Sequence, residues 1–207
     1  MCEIIKASKP ASVLPSFDGL RQVLKPDSYL DLGDVDIAEL QKWVAGLSDK
    51  VWAQEDAKKE NDFAVLRNTQ HIIFRFIPIH DDPRNHYSNP IWDIWKTMLV
   101  PLMDRVARGY RHREAMYPKV MLARLPAGEH ISRHKDGGGS NLYTHKVHVP
   151  LMTNSGAMFL VNETARHLEV GRGYEVNNLA YHAAENKGDT DRIHLIFEHL
   201  DCADAPF

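Results

Sequence analysis

The sequence predicts a mainly β protein with helices, an α+β chain in which a sandwich or jelly roll is buttressed by helical segments. From residue 118 onwards, short β-rich segments alternate with tight turns at spacings of roughly 8–12 residues, which is typical of sandwiches and barrels. Before that point the strongest apolar periodicity is helical. We therefore expect the N-terminal helices to cover one face of a C-terminal β structure.

The first third of the chain contains one helical pattern and one strand pattern. Residues 1–33 are punctuated by Pro and Gly and are expected to be irregular, with one or two short strands. Asp34 or Asp36 suits the N-cap of the helix that follows. Its apolar positions are Val35, Ile37, Leu40, Val44 and Leu47. Residues 71–77 are rich in β-branched and aromatic side chains and predict a strand.

The clearest helix is predicted from Asn89 to Gly109. Asn89 suits the cap, and a glycine is typical of the position after the last turn. Apolar residues recur at three- and four-residue steps between them. This stripe favours packing against a sheet over a ligand groove, because amphipathic helices usually cover a core. Pro101 inside the helix predicts a kink near Thr97.

The β-rich half divides into six predicted strands. Tight turns rich in Gly, Asn, Ser and Asp separate them. The strands are expected at residues 119–125, 143–152, 157–161, 167–170, 174–176 and 192–200.

Composition and charge narrow the class of protein. The chain has 207 residues, 43% of them hydrophobic and 26% charged, which is typical of one globular domain. A net charge of −3 gives no reason to expect nucleic acid or an anionic membrane as a partner. No apolar run reaches the roughly 18 residues of a membrane span, and the N-terminus lacks the apolar core of a secretory signal. We expect a cytoplasmic chain in which Cys2 and Cys202, although able to pair in principle, stay reduced.

A histidine followed two residues later by an acid is a weak metal motif in this chain. Because there are 12 histidines, some copies arise by chance. His80/Asp82 and His112/Glu114 suit solvated surfaces, and His167/Glu169 suits the exposed face of a short strand that enters a glycine turn. His199/Asp201 lies too near the chain end for a distal ligand to follow. The five copies are His80/Asp82, His112/Glu114, His134/Asp136, His167/Glu169 and His199/Asp201.

The His134/Asp136 pair has a context that the other copies lack. It follows a Gly-containing turn at the mouth of a predicted strand, and side chains two residues apart leave one side of an extended segment. His182 lies downstream as a third ligand, and Arg192 follows ten residues later. Two histidines and one carboxylate are the ligand set of a non-haem Fe(II) centre with open positions. An arginine beyond the last ligand can clamp a carboxylate, so the pattern favours an oxygenase.

The same segments resemble the aspartyl/asparaginyl β-hydroxylase family of Fe(II)/2-oxoglutarate dioxygenases, which includes bacterial proline hydroxylases. Three stretches carry the resemblance: LPAGEHISRHKDGG, KVHVPLMTN and NNLAYHAAENKGDTDRIHLIFEHLD. It covers residues 119–201, whereas the first 118 residues resemble the family only around RNTQHIIFRF. The resemblance implies a double-stranded β-helix, a cupin-like jelly roll with helices on one sheet.

The resemblance also implies roles for particular residues. His134, Asp136 and His182 match the family's iron ligands, and Arg192 matches the arginine that binds the distal carboxylate of 2-oxoglutarate. Lys146 and His148 match a strand whose basic residues help to hold the co-substrate. The chain departs from the family pattern at two positions. Lys146 stands where arginine is usual, so the forked geometry of a guanidinium is lost. Asp136 completes a ligand triad that animal members of the family lack.

The register of the strand at residues 143–152 decides whether Lys146 can reach a co-substrate. Lys146 and His148 alternate with His145 and Val147, so only one of the two pairs can face the interior. The resemblance favours Lys146 and His148 inside. A buried lysine would need an anionic partner, which a bound co-substrate can supply. The opposite register would leave Lys146 in water, where lysine is usually found.

The implied protein is a single dioxygenase domain over residues 1–207, with a mixed helical, substrate-side region at 1–118 and a metal-binding core at 119–201. It would use Fe(II), 2-oxoglutarate and dioxygen to hydroxylate a C–H bond of an amino acid, free or within a peptide, with release of succinate and CO2. Arg75 and Arg124 are candidates for binding a substrate carboxylate, although structural roles are favoured. The alternative is a cupin-like metal-dependent isomerase or small-molecule binding protein, since fold alone does not fix chemistry. A regulatory protein without catalysis is disfavoured because all three ligands are present.

Overall fold

The computed structural model describes residues 17–59, 63–78, 82–112 and 114–202. Within these ranges the chain forms strands, α-helices and three short 3-10 helices. The α-helices are α1 (Ala38–Ala45), α2 (Asp49–Asp56) and α3 (Trp92–Ala107). The strands are β1 (Tyr29–Asp34), β2 (Gln70–Phe76), β3 (Tyr87–Ser88), β4 (Ala115–Leu125), β5 (His130–His134), β6 (His145–Met152), β7 (Ala157–Val161), β8 (Thr164–Arg166), β9 (Arg172–Val176), β10 (His182–Asn186) and β11 (Arg192–Asp201).

The strands form two antiparallel sheets. The larger sheet has the order β1-β9-β6-β11-β4-β2-β3, and the smaller has the order β5-β10-β7-β8. Side chains from both sheets pack together, since Phe159 and Ala184 of the small sheet share one apolar cluster with Tyr174 and Val176 of the large sheet. Apart from the pairs β2–β3 and β7–β8, neighbouring strands are not consecutive in the chain, as in a jelly roll. The predicted double-stranded β-helix is therefore confirmed.

The helices cover the outer face of the large sheet, as the sequence predicted. Along β11, Ile193, Leu195 and Phe197 join Trp95 and Leu99 of α3 in the main hydrophobic core. Side chains alternate along a strand, so the intervening residues of β11 face the other way, towards the small sheet. The interior between the sheets thus receives the even-numbered side chains of β11, and the helices receive the odd-numbered ones.

Several predicted boundaries shift in the structure. The strand expected at residues 167–170 is wrong: β8 ends at Arg166, and Nδ1 of His167 instead contacts the Ala157 carbonyl at 2.9 Å. Helix α3 begins at Trp92, because the Asn89 side chain donates to the Ile73 carbonyl at 2.8 Å rather than capping the helix. Pro101 lies within α3.

Two short strands that carry the site are not among the six strands predicted from the sequence. These are β5 and β10, which pair with each other in the small sheet. Their alternation of apolar and polar residues is brief and interrupted by histidines, which hides the strand pattern. Within the described residues, no helix has the length and apolar character needed to cross a bilayer.

Candidate active site

The small sheet brings the two predicted histidine ligands side by side. His134 ends β5, His182 begins β10, and the two residues are paired across the strands. Asp136 lies two residues beyond β5, where its backbone N–H donates to the Asn178 carbonyl at 3.0 Å. One possible ligand atom from each of the three residues lies within 4.8 Å of the others. Oδ1 of Asp136 is 3.8 Å from Nε2 of His134 and 3.7 Å from Nε2 of His182.

Backbone carbonyls fix which ring nitrogen of each histidine is available. Nδ1 of His134 lies 2.8 Å from the Ser132 carbonyl, and Nδ1 of His182 lies 3.0 Å from the Ala180 carbonyl. A carbonyl only accepts, so each Nδ1 carries the proton and donates, which leaves both Nε2 lone pairs free. Metal-binding histidines are held in this way in proteins. The free nitrogens converge on the carboxylate oxygen, which is a geometry suited to a cation.

The second oxygen of Asp136 is held by two donors. Nζ of Lys146 donates to Oδ2 at 2.6 Å, and Nδ2 of Asn178 donates to it at 3.1 Å. Burial alone would raise the pKa of Asp136, but the positive charge of Lys146, with His182, outweighs burial and lowers the pKa well below its ordinary value. Burial lowers the pKa of His182 to about 4. At neutral pH the site therefore presents an ionised carboxylate and a neutral imidazole from His182.

Lys146 and His148 face the cavity between the sheets, which confirms the register favoured by the sequence. His145 points to the opposite side, where its Nδ1 lies 2.8 Å from Oε1 of Glu175. Burial would lower the pKa of Lys146, but Asp136 and Glu198 raise it above its ordinary value. From the sequence we expect a bound co-substrate to supply the anionic partner of Lys146. In this structure the carboxylate of Asp136 already pairs with it.

Arg192 is a buried cation without a partner in the same cavity. It begins β11, its residue is 3% exposed, and its Nε and Nη1 have no hydrogen-bond partner among the described residues. Burial lowers its pKa to about 10, so the guanidinium remains charged at neutral pH. An isolated buried charge is costly unless an anion pairs with it. The side chain is therefore suited to bind a carboxylate that enters the cavity.

The cavity has a volume of about 480 Å³ and a largely apolar wall. Three other lysines line it: Nζ of Lys59 contacts Asp56 at 3.0 Å, Nζ of Lys119 contacts Glu198 at 3.0 Å, and Nζ of Lys135 lies 4.4 Å from the ring centroid of Tyr181. The apolar lining residues from β2, β4 and the segments next to them include Val65, Leu66, Ile73, Phe76, Ile77 and Met121.

The other histidine/acid pairs lie elsewhere. His112 and His199 contact each other at 3.2 Å, and His199 lies on the helix-facing side of β11. His167 contacts a backbone carbonyl, as described above, and His80 lies outside the described residues. None of these pairs belongs to a three-residue ligand group in the described part of the chain.

The two arginines considered for substrate binding have structural partners. Nε of Arg75 donates to the Ser88 hydroxyl at 3.1 Å, and its guanidinium lies 4.2 Å from the ring of Trp92. Arg124 pairs with Asp49 at 2.7 Å and with Asp191 at 2.5 Å. These contacts agree with the structural roles favoured from the sequence.

Sequence reasoning missed Asn178, which holds Asp136. A sequence signal existed in the Asn177-Asn178 pair four residues before His182, since tandem asparagines mark turns. Oδ1 of Asn177 accepts from the backbone of Leu179 and Ala180 at 3.1 Å each, which shapes the turn into β10. Asn178 is thereby left free to reach across to the carboxylate.

Comparisons with known proteins agree with this geometry. The family model for aspartyl/asparaginyl beta-hydroxylase matches residues 96–201, just over half of the chain. A search of curated proteins gave no significant match. The structure is similar to that of an oxidoreductase of the 2OG-Fe(II) oxygenase family from Burkholderia pseudomallei, with 13% identity over 82% of this chain and 92% of that chain and a TM-score of 0.53.

Two further solved structures share the fold at low identity. A non-haem monooxygenase, the ThoJ–nickel complex, has 15% identity over 84% of this chain and 74% of its own, with a TM-score of 0.53. EvdMO1 has 12% identity over 86% of this chain and 48% of its own, with a TM-score of 0.55. At these identities the likeness supports the fold alone. Because the family model covers the strands that hold both histidines, the carboxylate and the unpaired arginine, the chain belongs to the aspartyl/asparaginyl beta-hydroxylase family and is a hydroxylase-type dioxygenase.

Proposed function

We propose that this protein is an Fe(II)- and 2-oxoglutarate-dependent dioxygenase that hydroxylates a C–H bond of an amino acid or of an amino-acid residue in a peptide. Succinate and CO2 would be the co-products. The observation that carries the proposal is the convergence of two Nε2 atoms and one carboxylate oxygen, from His134, His182 and Asp136, in a cavity that also contains the unpaired guanidinium of Arg192.

The residues present fit both groups that this activity requires. Two imidazoles and one carboxylate, with the remaining positions open to the cavity, are the donor set typical of non-haem Fe(II) oxygenases. The orphaned N–H groups of Arg192 fit a carboxylate, and a guanidinium can bind it through two parallel hydrogen bonds. When bound, Fe(II) and 2-oxoglutarate would supply the oxidising chemistry, while the protein supplies orientation and a dry environment.

Three basic residues of the cavity have assigned tasks in this proposal. Arg192 would pair with the distal carboxylate of 2-oxoglutarate. Lys146 and His148, from the neighbouring strand β6, would help to hold the other end of the co-substrate. Lys146 also keeps Asp136 ionised and oriented through Oδ2, which leaves Oδ1 for the metal.

The cavity wall favours an uncharged substrate group at the reaction centre. Lys59, Lys119 and Lys146 are paired with carboxylates of the chain, and Lys135 lies against the ring of Tyr181. Arg192 is assigned to the co-substrate, and the remaining wall from β2 and β4 is mainly apolar. A charged side chain of the substrate would lose its hydration there without gaining a partner. We therefore expect the hydroxylated carbon to belong to an apolar or amide side chain rather than to a carboxylate.

The alternative class is a cupin-like metal-dependent isomerase or binding protein. Such a protein would share the fold and the metal ligands. It has no need for a buried guanidinium, and Arg192, whose Nε and Nη1 have no partner among the described residues, therefore favours the dioxygenase.

The test is a screen of 2-oxoglutarate turnover by the Fe(II)-loaded protein against free amino acids and short peptides. We expect succinate to form in equal amount to a product that has gained one oxygen atom, detected by mass spectrometry. The His182→Ala protein is the control, because it keeps Arg192 and the cavity wall. Substrate isomerisation without consumption of 2-oxoglutarate would favour the alternative class.

A further inference from the structure

A pair of buried histidines lies beside Arg192, and only one of the two has been given a role above. His148 on β6 and His194 on β11 are 3% and 1% exposed. Their Nδ1 atoms are 3.3 Å apart, and the two rings are nearly perpendicular at 85°. Both Nε2 atoms are buried and have no hydrogen-bond partner among the described residues.

A hydrogen bond between two identical nitrogens requires one of them to carry the proton and the other to lack it. Burial lowers the pKa of both His148 and His194 well below the ordinary value, so both rings are neutral at neutral pH. Each neutral ring has one N–H only. One ring is therefore protonated on Nδ1 and bare on Nε2, whereas the other is bare on Nδ1 and protonated on Nε2.

The cavity, rather than the neighbouring cations, favours one of these two arrangements. Cations act on both rings: Arg192 has the strongest electrostatic effect on His194, and Lys146 and Arg192 both act on His148. His148 lines the cavity into which a carboxylate is expected to enter. A protonated Nε2 there would attract an anion, and a bare Nε2 would repel it.

We propose that His194 is a positioning residue whose Nδ1–H donates to Nδ1 of His148 and so holds His148 as the tautomer that offers Nε2–H to an anionic ligand of the cavity. The identity of that ligand as 2-oxoglutarate rests on the proposed function. His194 itself need not touch the ligand. Replacing it with an apolar residue would free His148 to adopt the other tautomer, and part of the ligand's affinity would be lost.

The first test measures the tautomers directly and requires no ligand. In the full-length, metal-free protein, 15N chemical shifts of the histidine rings distinguish protonated from bare nitrogens. We expect His148 to be protonated on Nε2 and His194 on Nδ1. The reverse assignment would overturn the proposal whether or not the protein binds 2-oxoglutarate.

The second test measures the affinity for 2-oxoglutarate in the Mn(II)-substituted protein by calorimetry. His194→Leu should weaken binding roughly three- to tenfold, which is the range expected for one hydrogen bond. His194→Asn should stay within about twofold of the wild type, because the amide can donate from near the position of Nδ1. His199→Leu is the matched control, a buried histidine on the opposite face of β11, and should leave the affinity unchanged.

The variants also separate this role from a purely structural one. Equal affinity in His194→Leu and the wild type would contradict the positioning role. Equal losses in His194→Leu and His194→Asn would contradict it as well, because a structural defect would not depend on the donor. A wild-type protein that binds Mn(II) but not 2-oxoglutarate would instead overturn the proposed function, and the tautomer measurement would still decide the His148–His194 arrangement.

Discussion

Both histidine rings of the candidate metal site are fixed through one nitrogen before any metal binds. His134 and His182 each donate Nδ1–H to a carbonyl two residues earlier in the chain, and Asp136 is held through the oxygen that faces away from them. The three free ligand atoms therefore need little rearrangement, and less conformational entropy is lost on binding. The three side chains are therefore already oriented as metal ligands, unlike surface residues that lie close together by chance.

Removal of one histidine tests this arrangement. His182→Ala should weaken Mn(II) or Fe(II) binding by more than about a hundredfold, because loss of an outer hydrogen-bond partner already costs about 10–100-fold. Turnover should be abolished. Metal affinity by calorimetry is the measurement, and His167→Ala is the control because Nδ1 of His167 contacts the Ala157 carbonyl, away from the three candidate ligands. If His167→Ala lost metal binding and His182→Ala kept it, the metal site would instead be at His167/Glu169.

Lys146 has two separable tasks in this account, and its replacement should reveal both. Lys146→Met removes the donor and the charge that hold Asp136, so metal affinity should fall about 10–100-fold even without co-substrate. At saturating metal, the affinity for 2-oxoglutarate should fall as well. His145→Ala alters the other face of the same strand and should change neither quantity. Normal metal affinity in Lys146→Met would refute the role assigned to the Asp136 contact.

Sequence alone could predict which residues carry charge and metal-binding atoms, but not all of their contacts. The spacing of His134, Asp136, His182 and Arg192 could be seen in the sequence, and the structure brings all four to one cavity. Asn178 and His194 escaped notice because their partners lie 42 and 46 residues away in sequence. Contacts of this range depend on the strand order, which periodicity does not reveal.

At the scale of elements, two turns keep Arg192 in place at the start of β11. Nδ2 of Asn154, after β6, donates to Oδ1 of Asn186, at the end of β10, at 3.0 Å, and to the carbonyl of Thr190 at 2.9 Å. Asn186 donates in turn to the carbonyls of Leu125 and Pro126 at 3.1 Å. These contacts tie the turns of the two sheets together. Both turns were predicted from their Gly and Asn residues, whereas their mutual contact was not.

Gly156 tests how closely these two turns must approach. A Cβ at this position would lie 2.5 Å from the backbone nitrogen of Gly188, and backbone cannot move aside as a side chain can. Gly156→Ala should therefore lower the free energy of unfolding by about 1–3 kcal/mol. Gly109→Ala is the control, since a Cβ there would meet nothing within 4 Å. Urea unfolding measures both, and equal stability of the two variants would contradict close packing of the turns.

For the molecule as a whole, the fold concentrates neutral histidines in its interior. Burial lowers the pKa of His182 to about 4 and that of His199 to about 3, and it lowers the pKa of His148 and His194 strongly. His199 lies among the aromatic and histidine side chains of Tyr110 and His112 outside the cavity. The composition shows that histidine is abundant in this chain. Which histidines are buried depends on the register of β6, β10 and β11, which composition does not reveal.

This burial predicts acid sensitivity of the metal-free protein. A histidine whose folded pKa lies below its unfolded value of about 6.5 is protonated more readily when unfolded. The free energy of unfolding should therefore fall as the pH drops below about 6.5, towards about 4 for His182 and about 3 for His199. Each histidine contributes at most about 1.4 kcal/mol per pH unit. Urea unfolding at about pH 7.5 and about pH 5 measures the effect, and His199→Leu should reduce it. A stability that does not change over this range would contradict the prediction.

The central claim is that one cavity binds Fe(II) and 2-oxoglutarate together, and anaerobic titration of the Fe(II)-loaded protein with 2-oxoglutarate tests it most directly. We predict a visible absorption band from the co-substrate chelated to Fe(II), which saturates with 2-oxoglutarate in the wild type. Arg192→Ala should need about ten- to a hundredfold more 2-oxoglutarate, as expected for a charge-assisted pair worth roughly 1.5–3 kcal/mol. The band should be absent in His182→Ala. A wild-type protein that binds Fe(II) but develops no band, or an Arg192→Ala variant that titrates like the wild type, would contradict the account.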